Sequence, residues 1–163
     1  MKDNFSTQSS QYAKFRPKYP QALYDFLLNH VSETKTAWDC ATGNGQVATE
    51  LANRFEKVYA TDISEKQLAN APQLSNITYK VEQAEKTDFA DDVFDLVTVA
   101  QAIHWFKFDE FYAEVKRTLK PNGIFAALGY GIMNITPALD KAVHYLYQNI
   151  SGEFWDEERK HIA

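Results

Sequence analysis

Short apolar runs and helix-period apolar stripes alternate along this chain from residue 20 to residue 150, and no other feature narrows the available folds as far. Leu23, Phe26, Leu27 and Val31 fall at helical spacing, with Pro20 suited to a first turn. Residues 36–40 read as a short buried strand, and Val47, Ala48, Leu51, Ala52 and Phe55 form the stripe of the helix after it. A second strand covers residues 57–61 and ends in Asp62, after which Ser64 and Gln67 have the capping-box pattern of a short helix ending near Pro72. Strand three spans residues 77–81. Strand four spans residues 94–100 and is nearly continuous in Leu96, Val97 and Val99, hence buried on both faces. The next helix puts Phe108, Phe111, Tyr112, Val115 and Leu119 on one face and turns Asp109, Glu114, Lys116 and Arg117 elsewhere. Lys120-Pro121-Asn122-Gly123 is a turn by composition ahead of an apolar strand over residues 124–128. Thr136-Pro137 then opens a last helix through Leu139, Val143, Leu146 and Ile150. Such alternation predicts an α/β fold, an open and mainly parallel sheet with helices on both faces.

A chain of 163 residues suits one domain, here an arm over residues 1–19, a core over 20–150 and a charged tail over 151–163. The net charge of −5 and the lack of any Lys- or Arg-dominated stretch argue against nucleic acid as a partner. Residues 1–16 lack the apolar run of a signal peptide, and no segment approaches the length of a membrane span, so a cytoplasmic location and no membrane partner are expected. Cys40 is the single cysteine, and the 4 histidines are scattered at positions 30, 104, 144 and 161, so no metal site is expected.

In open α/β sheets ligands sit outside the carboxyl ends of the strands, at the switch point of the strand order. Polar or glycine-rich residues follow four consecutive strands here: residues 39–45, Asp62, residues 83–85 and residues 101–106. Gly43-Asn44-Gly45 with Ala48 fits a dinucleotide fingerprint, and Asp62 follows Gly43 by 19 residues, where a ribose-binding acid belongs. That spacing serves a nicotinamide dinucleotide (NAD) and S-adenosylmethionine (SAM) alike. Asp39 places a carboxylate at the mouth of the loop, where it would repel an anionic pyrophosphate by on the order of 1–2 kcal/mol after screening. The ammonium and sulfonium of SAM tolerate a neighbouring acid.

The run Trp38-Asp39-Cys40-Ala41-Thr42-Gly43-Asn44-Gly45 resembles the first motif of class I SAM-dependent methyltransferases, with Ala41 where the family commonly has glycine. The likeness extends to Tyr12 and the Arg16-Pro17 and Tyr19-Pro20 pairs, to Gln101-Ala102-Ile103-His104-Trp105-Phe106, and to Leu119-Lys120-Pro121-Asn122-Gly123. This combination is similar to the small-molecule branch that includes trans-aconitate methyltransferase-like proteins, with a Rossmann-like fold. The resemblance implies that Gly43 and Gly45 let the backbone approach the methionyl part of SAM, beside Asp39, Ala41 and Asn44. It implies that Asp62 accepts from both ribose hydroxyls, that Ile63 packs on adenine, and that Ala84 and Glu85 lie at the adenine edge. Trp105 would offer an aromatic face near the sulfonium, with Gln101 close by, and Arg16 would approach the methionyl carboxylate with Tyr12 in the same arm. The acceptor it implies is a small molecule with a carboxylate or hydroxyl.

These residues have structural readings as well: Asp39 as a turn cap, Asp62 as a helix-entry residue, Trp105 and Phe106 as core, Cys40 as a small buried hydrophobe, and Arg16 as a solvated arm residue. His104 would act as a general base for a hydroxyl acceptor, whereas a carboxylate needs only in-line alignment. The alternatives are a SAM-binding module without activity and an NAD-dependent oxidoreductase. Because the resembling family continues past strand five with two more strands, the chain is expected to lack the C-terminal part. Cofactor binding without efficient turnover, and self-association through strand five, are expected with that.

Overall fold

A strand that is apolar on both faces has to lie between layers of helices, and β1 (Thr36–Cys40) and β4 (Phe94–Ala100) occupy that position as neighbours inside a parallel sheet. The computed structural model describes residues 18–132 and 134–155. Along the chain come α1 (Gln21–Leu28), β1, α2 (Gln46–Ala52), β2 (Lys57–Asp62), α3 (Glu65–Ala69), β3 (Ile77–Val81) and β4. A 3-10 turn at Ile103–Trp105, α4 (Phe108–Thr118) and β5 (Leu119–Leu128) follow. Among the described residues 5 strands form one sheet, ordered β3-β2-β1-β4-β5 and paired in parallel throughout. The chain works outward from β1 to one edge and then resumes on the other side of β1, so the switch point lies between β1 and β4.

A period of two along the strands sends alternate residues to opposite faces. Ala37, Val58, Ala60 and Leu96 pack with Tyr24 and Leu27 of α1 and with Val47, Ala48 and Leu51 of α2. Trp38, Val97 and Val99 pack on the other face with Phe111 and Val115 of α4. Phe89 and Phe94 complete that layer, their ring centroids 5.6 and 5.7 Å from Trp38. The chain divides into two units: the first ends at Leu128, and the second holds α5 (Pro137–Tyr145), a π-turn at Leu146–Ile150 and a 3-10 turn at Gly152–Phe154. Among the described residues no helix is long and apolar enough to cross a membrane.

The structure departs from the sequence pattern in several places: Tyr112 of the α4 stripe is exposed, as are Leu139, Leu146 and Ile150 of the last stripe. On α1 the buried ring is Tyr24, while Phe26 is 59% exposed and packs against His30. Glu114 of α4 is buried rather than turned to solvent. Strand β5 begins at Leu119, paired with Phe94, before the register jumps to Leu96 with Ile124. Lys120-Pro121-Asn122-Gly123 is therefore a bulge inside an edge strand, the setting in which a proline without an N–H is tolerated, and Asn122 takes φ 68° there.

Candidate functional site

The loop after β1 turns back into α2 through three residues with positive φ: Ala41 at 52°, Gly43 at 58° and Gly45 at 78°. Thr42 N–H donates to Thr61 O at 2.9 Å, and Gly45 N–H donates to Thr42 O at 3.0 Å. Gly45 is required twice over, since a Cβ there would lie 2.7 Å from the Tyr79 hydroxyl and 3.2 Å from Ala71 Cβ. The Tyr79 hydroxyl is fixed by donating to Pro72 O at 2.9 Å. Asn44, nearly buried, lines a cavity of about 250 Å³ with Tyr19, Tyr24, Gln46, Thr49 and Asn70. A narrower cleft of about 10 Å³, room for about one water, lies between Tyr19, Asp39, Ala41 and Ala100.

Two carboxylates shape this loop. Asp39 is 1% exposed and accepts from the Thr42 hydroxyl, from Ala48 N–H at 3.0 Å and from the Thr98 hydroxyl at 2.8 Å. Asp62, at the end of β2, accepts from Gly43 N–H and from Ser64 N–H, each at 2.9 Å. Each carboxylate oxygen can accept more than one hydrogen bond, so this anchoring is compatible with accepting from ligand hydroxyls as well. Burial pushes the Cys40 thiol up, and the charges of Asp39, Asp62 and Glu85 push it further while a bond to Thr61 opposes them. Asp39 and Asp62 thus hold the loop after β1 at Thr42 and at Gly43.

Residues 83–86 form a tight turn after β3, closed by a bridge between Gln83 and Lys86, with Ala84 buried inside it. Glu85 Oε1 accepts from Lys107 N–H at 3.1 Å. Ile63 is half-buried beside Asp62. Gln101 leaves β4 at φ 56°, its N–H donating to Leu128 O at 2.9 Å. His104 is buried, with its ring 4.7 Å from the half-buried Trp105, and Phe106 packs into the core 4.7 Å from Phe111. Of the expected site residues, the structure brings Asp39, Ala41, Gly43, Asn44, Gly45, Asp62, Ile63, Ala84, Glu85, Gln101, His104 and Trp105 to strand ends or the turns just after them. Tyr12 and Arg16 lie outside the described residues. Sequence reasoning passed over Thr42 and Thr98, the hydroxyls that hold Asp39. A lone hydroxyl in the apolar strand Phe94–Ala100 is the signal for Thr98, because a buried polar group needs a partner.

A parallel sheet with a glycine loop after its first strand and an acid ending its second defines a Rossmann-like domain for a nucleoside-bearing cofactor. The methyltransferase domain family matches residues 38–127, and the chain belongs to that family. A protein of Dictyostelium discoideum named as a methyltransferase is 40% identical over 98% of this chain and 62% of its own length. An uncharacterized methyltransferase of Schizosaccharomyces pombe is 29% identical over 87% of this chain and 58% of its own. A solved protein of Anaeromyxobacter dehalogenans named as a type II methyltransferase superposes with TM-score 0.80 at 38% identity, over 91% of this chain and 63% of that one. A phosphoethanolamine N-methyltransferase of Haemonchus contortus, solved with phosphomonomethylethanolamine and S-adenosylhomocysteine, shares the fold at TM-score 0.64 and 22% identity, over 89% of this chain and 37% of that one. The chain therefore spans about 60% of the length of these two curated relatives. The cofactor implied by the family is SAM, and a loop after β1 with Asp39 and Asp62 bonded to it fits a cofactor with an ammonium and ribose hydroxyls.

Proposed function

We propose that this chain binds SAM in the crevice at the carboxyl ends of β1 to β4 and directs methyl transfer to a small molecule. The observation that carries this reading is the left-handed loop over residues 41–45, held by Asp62 at Gly43 N–H and by Asp39 at the Thr42 hydroxyl, with both acids at strand ends. A doubly anionic pyrophosphate is repelled there, and a cationic cofactor is favoured. When bound, SAM supplies an electrophilic methyl on sulfur. Asp62 accepts from the ribose hydroxyls, Gly43 and Gly45 admit the methionyl backbone, Ile63 and Ala84 flank adenine, and Trp105 offers a ring face to the positive sulfur. Asp39 acts mainly by holding the loop through Thr42, Ala48 and Thr98. The acceptor is a carboxylate or hydroxyl, as the resemblance to trans-aconitate methyltransferase-like proteins implies. A carboxylate is already anionic at neutral pH and needs no base, so His104 takes a proton only from a hydroxyl.

Calorimetry with S-adenosylhomocysteine (SAH) against NAD tests the reading, with binding of SAH and none of NAD expected. Asp62→Ala is expected to lower SAH affinity more than tenfold, since each hydrogen bond to a charged acceptor contributes about 1.5–3 kcal/mol. Because Asp62 also anchors Gly43 and Ser64, circular dichroism must show the variant folded. Unchanged affinity in a folded variant removes Asp62 from the site, and NAD binding in place of SAH overturns the reading.

A further inference from the structure

The turn that carries Ala84 and Glu85 is attached to α4 at two points. Just past the turn, Thr87 gives both its N–H and its hydroxyl to Glu114 Oε1, at 2.8 and 2.5 Å. The second attachment is Glu85 Oε1 to Lys107 N–H. Lys107 is the N-cap position of α4, and no side chain of that position caps the helix. The first N–H groups of a helix lack intrahelical acceptors, so Glu85 supplies from another segment the acceptor that this end needs, and its negative charge suits the positive end of the helix dipole.

The consequence lies in what sits between the two anchors. Residues 101–107 run from β4 through the 3-10 turn at Ile103–Trp105 into α4, held at one end by Gln101 N–H on Leu128 O, within the turn by Trp105 N–H on Ala102 O, and at the far end by Lys107 N–H on Glu85. His104 and Trp105 lie on that span. Glu85 follows Ala84, which is buried in the turn. One acid therefore touches both the turn on the cofactor side and the helix start that fixes residues 101–107.

We propose that Glu85 is a positioning residue that couples occupation of the cofactor crevice to the order of residues 101–107, the segment facing the acceptor. This rests on the SAM reading above. A ligand seated against Ile63 and Ala84 restrains the turn, the restrained turn fixes the Glu85 oxygen, and the fixed oxygen holds Lys107 N–H and the span before it. Ordering completed by the first ligand is then not required of the second, which gives positive coupling without a large movement.

Amide hydrogen exchange of the full chain, with and without SAH, reads this out. SAH is expected to slow exchange in residues 101–107 of the parent chain. Glu85→Ala is expected to exchange about tenfold faster at Lys107, the worth of one hydrogen bond to a charged acceptor, and at saturating SAH to show no slowing of the segment. Glu85→Gln retains an acceptor oxygen and is expected to restore the slowing, which a purely electrostatic role would not allow. Slowing by SAH that persists in Glu85→Ala overturns the proposal, as does SAH binding to the parent without any slowing. Loss of SAH affinity in both variants would make Glu85 a cofactor ligand and overturn its positioning role. Calorimetry separates these results from failure of the parent chain to bind SAH, which would overturn the cofactor reading and this inference with it.

Discussion

Ala41 holds a left-handed backbone, φ 52°, at the loop position where the resembling family carries glycine. That conformation costs a residue with a Cβ about 1–2 kcal/mol, while glycine's freer unfolded chain returns about 0.4–1 kcal/mol of the gain. Ala41→Gly is therefore expected to raise stability by up to about 1.5 kcal/mol, read as a higher urea midpoint. A lower midpoint would show that the Ala41 methyl makes contacts worth more than the strain. Gly45→Ala runs the other way, because φ 78° and a Cβ position 2.7 Å from the Tyr79 hydroxyl act together, and a loss of about 1–3 kcal/mol is expected. The glycine positions were legible in the sequence because only backbone geometry demands them. The partners of Asp39 were not, since the spacing shows an acid at a loop mouth and cannot show that Thr98, 59 residues away, reaches it.

At the level of elements, the strand and helix order was legible because each strand carries its own apolar run and each helix its own stripe. What the pattern could not place were residues whose burial is decided by another segment. Glu114 reads as a solvent-face residue of α4, yet Arg117 bonds both its carboxylate oxygens, at 2.9 and 2.6 Å, while Thr87 supplies two more donors. Arg117 also reaches Phe89 O and Asp91, so the segment from Thr87 to Asp91 is fastened to α4 by this cluster. Glu114→Ala removes the acceptor of Thr87 and the main partner of a partly exposed guanidinium. With the ion pair discounted for that exposure, the expected loss is about 2 kcal/mol, and Glu114→Gln is expected to fall between. A loss under about 0.5 kcal/mol in thermal or urea unfolding, the size typical of a surface substitution, would show that the cluster is dispensable. The bulge in β5 was half legible: its composition marks a turn, but the pairing of Leu119 with Phe94 that keeps it within the strand depends on β4.

For the molecule as a whole, buried titratable groups set the pH range of stability. Burial first, then Asp39 and Glu50, pushes the Tyr24 hydroxyl up to about 12. A raised acid pKa stabilises the fold below the unfolded value of about 10, and that contribution is lost as pH rises toward 12. The acid side rests on Asp95 at the amino ends of the strands, away from the crevice. It accepts from Thr36 N–H at 2.8 Å and Lys35 N–H at 3.2 Å and pairs with Lys120 at 2.7 Å, so it ties the start of β1 and the bulge of β5 to β4. Burial pushes its carboxyl up, but the Lys120 ammonium and the Thr36 donors outweigh burial and hold it below the usual aspartate value. Arg117 and Thr87 hold Glu114 down in the same way against burial. A lowered folded pKa gives stability that is present above the unfolded values of about 3.9 for Asp and 4.3 for Glu, and that is lost as pH falls through the folded value. The chain is therefore expected to keep these contributions at neutral pH and to lose them below about pH 4. Asp95→Asn isolates one of them: the variant lacks the charge that Lys120 faces at neutral pH, whereas in strong acid the parent carboxyl is itself neutral. Urea midpoints of parent and variant should differ clearly at about pH 7 and converge as the pH is taken toward about 2. A gap that stays constant across that range would mean that Asp95 contributes through its shape and neutral hydrogen bonds, not through its charge.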